Sequence, residues 1–275
     1  MNCPDPASAG ANLREAMQDR PEYREDAFYR GRFHVLQPLR HGYRSGLDAL
    51  LLAATLRPDA TGTLVDLGAG AGVVGLAAAC RSAGVTVTLV EKNAAMAELA
   101  RRNLALGENA ALSGRLTVLQ ADLLAPRPER EAAGLLGERF QRVLTNPPFH
   151  APGGRLPADP LRAEALFSSD TDSLPRWLKA AAGLLAPSGR LTCILRADAL
   201  SLALAGVEGR LGAVRVMPIH PRPGAAATRI LLHGRKGSRA PLELLPGRCL
   251  HREDGSLDPF AEKVAAGEET IDLDR

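Results

Sequence analysis

No apolar run in the 275 residues approaches the roughly 20 that a membrane-spanning helix needs, so a soluble chain is expected. Nothing near the start has the pattern of a signal peptide, because the stretch REAMQDRPEYREDAFYRGR is charged throughout. Cysteine is scarce: Cys3, Cys80, Cys193 and Cys249 are scattered, with no C-x-x-C pair and no histidine spaced to complete a zinc site. Neither a disulfide framework nor a metal centre is therefore expected, and a reducing cytoplasm fits. Lysine is also rare. Of 34 basic residues only Lys92, Lys179, Lys236 and Lys263 are lysines, and the net charge is +3. An arginine-rich surface suits a polyanionic partner, but GC-rich coding gives the same bias, so composition does not choose. No internal repeat is present, and nothing in the sequence sets an oligomeric state.

Residues 1–27 are polar and aperiodic and read as a flexible N-terminal arm. From Phe28, FYRGRFHVLQPLRHGYR alternates around Phe33, Val35 and Leu36, with Gly31, Pro38 and Gly42 as punctuation, which predicts a small hairpin. Ser45 with Asp48 resembles a capping box opening the helix LDALLLAATL. Short continuous apolar runs follow at 63–67, 87–91, 116–120, 142–146 and 190–195, as parallel strands buried on both faces require. Helical stretches such as VVGLAAACRSA, AAMAELARRNLAL and LPRWLKAAAGLL lie between them. This alternation predicts a doubly wound α/β sheet whose strands all end along one edge, where ligands bind. Residues 213–219 and 228–236 read as two antiparallel strands closing a domain over 28–238. The Pro/Gly-rich stretch 150–172 is long enough to be a lid or binding loop, and 239–275 is expected as a partly ordered tail.

The segment DLGAGAGVVG, residues 66–75, admits two ligands. Gly70, Gly72 and Gly75 fit a dinucleotide fingerprint; Asp66, Gly68, Gly70 and Gly72 fit the D-x-G-x-G-x-G of S-adenosylmethionine (SAM) enzymes. Either ligand needs glycines where the backbone turns from strand to helix, and Glu91, 19 residues past Gly72, is placed for ribose hydroxyls in both cases. Three features separate them. Asp66 is a carboxylate suited to fixing the glycine loop and attracting an ammonium, and Asp122 in LQAD can accept from an adenine amine. NPPF, residues 146–149, directly follows the fourth parallel run. Asn-Pro is a common turn starter, but its position after that strand favours a functional part. An exocyclic amine is a poor nucleophile because its lone pair is delocalised. Hydrogen bonds from its N–H groups to the Asn146 side-chain oxygen and the Pro147 carbonyl would favour a pyramidal nitrogen with its lone pair directed at a sulfonium methyl. Pro147 and Pro148 stiffen the turn, and Phe149 offers a flat face for a planar substrate. His150 reads as an exposed loop residue, and Cys80 and Cys193 as buried packing.

Over residues 43–235 the chain resembles class I SAM-dependent methyltransferases with an N-P-P-[FY] motif, most specifically the tRNA1(Val) (adenine-37-N6)-methyltransferase family. HGYRSGLDALLLAA, NPPFH and HPRPGAAATRILLHGRKGSRAPL carry that resemblance. It implies a seven-stranded Rossmann-like sheet with the last strand antiparallel, SAM as cofactor and an adenine N6 in the anticodon loop of a tRNA as acceptor. By the same resemblance Arg44 and Asp48 lie over SAM, and Asp66, Gly68, Gly70, Gly72, Glu91 and Asp122 hold it. Asn146, Pro147 and Phe149 take the amine and its base. NPPFH also occurs in rRNA guanine-N2 enzymes and NPP[FY] in release-factor glutamine-N5 enzymes, so these remain alternatives, as does a small-molecule acceptor. Arg222, Arg229, Arg235 and Lys236 read either as a solvated hairpin or as an RNA-backbone clamp.

Overall fold

The computed structural model describes residues 23–39, 46–148 and 172–274. Arg44, Phe149, Ser45 and His150 lie outside the described residues, as does all of the 150–172 connection except Asp172.

The predicted hairpin forms from β1 (Tyr23–Phe28) and β2 (Phe33–Pro38), paired antiparallel, so it begins inside the stretch expected as an arm. Alternation buries Phe33 and Val35, and Phe33 stacks on Phe28 with ring centroids 5.2 Å apart. The backbone of β2 is satisfied on its other side by two buried asparagines. Asn103 accepts from the Leu36 N–H at 2.8 Å and donates to the Leu36 carbonyl at 3.1 Å. Asn109 does the same for His34 at 2.9 and 2.7 Å.

Helix α1 (Leu47–Ala54) has Gly46 at its N-cap with no side-chain cap bond, and the expected Ser45–Asp48 capping box falls on Ser45, outside the described residues. The alternation then runs β3 (Thr61–Leu67), α2 (Val73–Arg81), β4 (Gly84–Glu91), α3 (Ala94–Leu104), a short turn of helix α4 (Ala110–Ser113), β5 (Leu116–Gln120), α5 (Arg127–Ala132) and β6 (Phe140–Thr145). After α6 (Ser173–Leu184) come β7 (Leu185–Arg196), α7 (Leu200–Val207), β8 (Leu211–His220) and β9 (Arg229–Lys236).

Strand order is β8-β9-β7-β6-β3-β4-β5, with β9 antiparallel to both neighbours and the others parallel. This is the seven-stranded sheet expected from the sequence. Successive strand residues feed opposite layers: Leu64, Leu89 and Leu144 join a core under α1, α2 and α3, while Val65, Val90 and Val143 join one under α6 and α7. That two-sided burial is why the strands read as unbroken apolar runs.

The segment after Arg239 departs from the expected tail. It adds two short strands, β10 (Glu243–Leu244) and β11 (Arg248–Cys249), parallel to β8, and a helix α8 (Pro259–Ala266) capped by the Asp258 side chain. Phe260, Val264, Ile271 and Leu273 are buried in the α1 and α2 core, and the buried Arg81 donates to the Gly267 carbonyl and Thr270 hydroxyl at 3.1 Å each.

Candidate active site

Because β4 and β5 extend the sheet on one side of β3 and β6 lies on the other, the order reverses between β3 and β6, the switch point where open α/β sheets take ligands in a crevice at the strands' carboxyl ends. Register fixes what meets there. Leu67 pairs with Thr145, so the glycine loop leaving β3 stands beside Asn146 and Pro147 leaving β6, although 78 residues separate the two segments. The Thr145 hydroxyl donates to the Leu67 carbonyl at 2.8 Å and accepts the Trp177 indole N–H at 3.1 Å. Asn146 is half-buried and Pro147 buried.

Gly68, Gly70 and Gly72 have φ of +71°, +55° and +92°, a left-handed backbone that other residues adopt with strain. A Cβ on Gly68 would meet the Trp177 ring at 3.4 Å and Pro148 at 3.9 Å, both ordinary contacts, so the left-handed backbone and not lack of room calls for glycine here. Carboxylates hold the loop from both sides. Asp66, fully buried, accepts the Gly75 N–H at 3.0 Å and so satisfies an orphan donor in the first turn of α2, which lacks a side-chain cap. Burial pushes the Asp66 carboxyl up to about 7; the Gly75 N–H opposes this and the nearby Glu91 charge adds to it. Glu91 accepts the Gly70 and Asn93 N–H groups at 2.8 Å each, joining the loop to the start of α3. Asp122 accepts the Leu124 N–H at 2.8 Å and pairs with Lys92 at 3.0 Å.

The structure thus gathers Asp66, the three glycines, Glu91, Asp122, Asn146 and Pro147 along one edge. Asp48, in the first turn of α1, is engaged by Arg229 at 2.9 Å, so a residue expected at the cofactor and one expected at RNA hold each other. The basic cluster is not brought together. Arg229 pairs with Arg196 at the carboxyl edge, whereas Arg235 pairs with Arg190 nearer the opposite edge, six residues or about 20 Å along an extended strand. Arg222 lies beyond the start of β9, exposed between β8 and β9, and Lys236 is tied to Glu138 and the Leu185 carbonyl. Cys193 is fully buried, and burial pushes its thiol up to about 12, as befits packing and not a nucleophile.

Sequence reasoning missed Trp177 and Thr145, which form the wall between the two loops. The one tryptophan of the chain was a visible signal, but nothing in LPRWLKAAAGLL says which way it faces. The left-handed glycine loop, the buried carboxylate of Asp66 behind it and Glu91 at the end of β4 fit a nucleoside-bearing ligand with a cationic end. Among the described residues no helix is long and apolar enough to cross a membrane.

This strand order, with a glycine loop after its first parallel strand and Asn-Pro-Pro after the fourth, defines a SAM-dependent methyltransferase with a Rossmann-like fold. The chain belongs to the methyltransferase small domain family, whose model matches residues 46–217, and its cofactor is SAM. A tRNA1(Val) (adenine(37)-N6)-methyltransferase of Porphyromonas gingivalis strain W83 is 30% identical over 203 residues, covering 72% of this chain and 76% of that protein. The ribosomal RNA small subunit methyltransferase C of Aeromonas hydrophila is 37% identical over 105 residues, 38% of this chain and 26% of that protein. The crystal structure of a predicted O-methyltransferase, protein Atu636 from Agrobacterium tumefaciens, superposes with a TM-score of 0.71 at 33% identity, covering 83% of this chain and 100% of that one.

Proposed function

We propose that the protein methylates an exocyclic amine in RNA, N6 of an adenine in the anticodon loop of a tRNA. The observation that carries the reading is the register between β3 and β6, which seats Asn146-Pro147 against the glycine loop. When bound, SAM supplies an electrophilic methyl on a sulfonium and leaves as the neutral thioether. The chain's part is to bind and orient. Gly68, Gly70 and Gly72 would admit the amino-acid end of the cofactor, with Asp66 the counter-charge for its ammonium, Glu91 the acceptor for ribose hydroxyls and Asp122 the acceptor for the adenine amine. Asn146 and Pro147 would accept from the two N–H groups of the substrate amine, so that its lone pair would be directed at the methyl that SAM would supply. The methylated nitrogen is then strongly acidic and loses its proton to solvent, so no base is required. Phe149 would stack on the base, and Arg44 with Asp48 would close over the cofactor. Arg222, exposed near the carboxyl edge, remains a candidate for phosphate contact, with Arg229 fixed beside it by Asp48. Arg235 and Lys236 would serve only an RNA that reaches the other edge.

The relative from P. gingivalis supports tRNA adenine, and that from A. hydrophila favours rRNA as the second reading, over a shorter match. Isotope-labelled SAM and separate pools of unmodified tRNA, rRNA, DNA and release factor, followed by mass spectrometry of the products, test the choice. N6-methyladenosine in tRNA is expected. Label in N2-methylguanosine, in methylglutamine or in no polymer would overturn the substrate.

A further inference from the structure

A groove of about 750 Å³ runs along α6, away from the crevice. It starts at Leu123 and Leu124, next to Asp122 at the carboxyl edge, and ends at Glu138, Arg139 and Lys236, where β6 is about to begin. Among the described residues its basic side chains are Arg127, Arg130, Arg139, Arg176, Lys179 and Lys236, and its acids are Glu131 and Glu138. Both acids are already used, Glu131 by Arg127 at 2.7 Å and Glu138 by Lys236 at 3.0 Å. Among the described residues Arg130, Arg139 and Lys179 are left without a carboxylate. Arg130 adds an independent observation: its Nε is buried with no hydrogen-bond partner, a donor whose desolvation is uncompensated until an acceptor arrives. The floor is apolar, from Leu135, Ala180 and an unusually exposed Leu136. Arg176, Lys179 and Gly183 fall at i, i+3 and i+7 of α6, which aligns two cations and an open position along one helical face.

We infer that this groove carries the phosphate backbone of the substrate RNA as it leaves the crevice. The inference rests on the RNA reading of the site and adds where the rest of the molecule lies. Phosphates match the three cations left without a carboxylate, Arg130, Arg139 and Lys179, and ribose edges match the apolar floor. An acidic protein segment would satisfy the charge but would not draw on the apolar floor as riboses do, and the groove starts beside Asp122 at the same carboxyl edge as Asn146.

The test is the double variant Arg139→Ala/Lys179→Ala, both exposed positions whose loss spares the core. Its binding to an unmodified valine tRNA transcript is measured across a salt series, beside SAM binding and methyl transfer to a short oligonucleotide of the anticodon loop alone. Transcript affinity should fall about tenfold, and the slope of log affinity against log salt should lessen by about 1.5, while SAM affinity and transfer to the loop oligonucleotide change less than about twofold. If the unaltered protein methylates the transcript and the variant keeps the full slope, the groove is not the RNA track, although the RNA reading stands. Were the unaltered protein to methylate no RNA, or only a protein, both would fall.

Discussion

Asp66 is held where ionisation is costly. Its carboxyl, pushed up to about 7 by burial, would titrate near 3.9 in the unfolded chain. The folded state therefore keeps the proton more tightly: the stability this group allows is full below about pH 4 and lost as pH rises through 7, on the order of 4 kcal/mol at full ionisation. Asp66→Asn keeps an oxygen for the Gly75 N–H and removes the charge. Urea midpoints of the unaltered protein should fall relative to the variant between about pH 5 and pH 8, and saturating SAM should flatten that fall if its ammonium sits at Asp66. Parallel curves without SAM would mean that the ionised carboxylate already has a partner. Asn146 differs in kind, because its proposed work is on the amine and not on the cofactor. Asn146→Ala should lower kcat by about 100-fold or more while SAM affinity stays within a few-fold; equal losses in both would remove it from the amine.

At the scale of elements, Asn103 connects what the sequence presents as unrelated. From α3 its side chain bonds both backbone groups of Leu36 in β2 and also donates to the Ala71 carbonyl in the glycine loop, at 2.9 Å. Asn103→Ala strands three backbone groups, one buried and two part-buried, which should cost about 2–4 kcal/mol and weaken SAM binding together with stability. Urea titration and calorimetry of SAM binding check this; lost stability with unaltered SAM affinity would uncouple the hairpin from the loop. Such a link is illegible in sequence because a polar residue within AAMAELARRNLAL looks like any solvated helix position. Strands β3 to β7 were legible because burial on both faces leaves an unbroken apolar run, and the glycine loop because only glycine tolerates its backbone. The segment around α8 was not, since Phe260, Val264, Ile271 and Leu273 stand among acids and alanines and find burial in the core of α1 and α2, far away in sequence. The basic cluster misled for a related reason: neighbours in sequence on an extended strand are about 3.3 Å apart per residue, so one strand reaches from one edge of the sheet towards the other.

The whole molecule separates its work between those edges. The proposed chemistry lies at the carboxyl ends, while on the opposite side Arg142, Arg190, Thr192, His233 and Asp274 line a cavity of about 350 Å³. There Asp274 bonds Arg190 and lies 3.2 Å from His233, which is itself buried against the Thr192 hydroxyl at 2.9 Å. Burial pushes the Asp274 carboxyl up, but the hydrogen bonds and charges of His233 and Arg190 outweigh it and hold the group well below the ordinary carboxylate range. Its contribution is thus present above about pH 4 and lost as pH falls further, opposite in sign to Asp66. Arg142, half-buried nearby and pushed down by burial and by the Arg190 charge, shows that this side has cations needing that carboxylate. Asp274→Ala should cost about 1–3 kcal/mol at neutral pH and flatten the acid limb of the stability profile. Arg142 and Asn146 are four residues apart on and just beyond β6, about 13 Å, so methyl transfer per folded molecule should change less than about twofold. Thermal denaturation and kcat measured on the same preparation decide it. A fall in kcat at an unchanged folded fraction would show that the two edges move together, and the division of labour between them would fail.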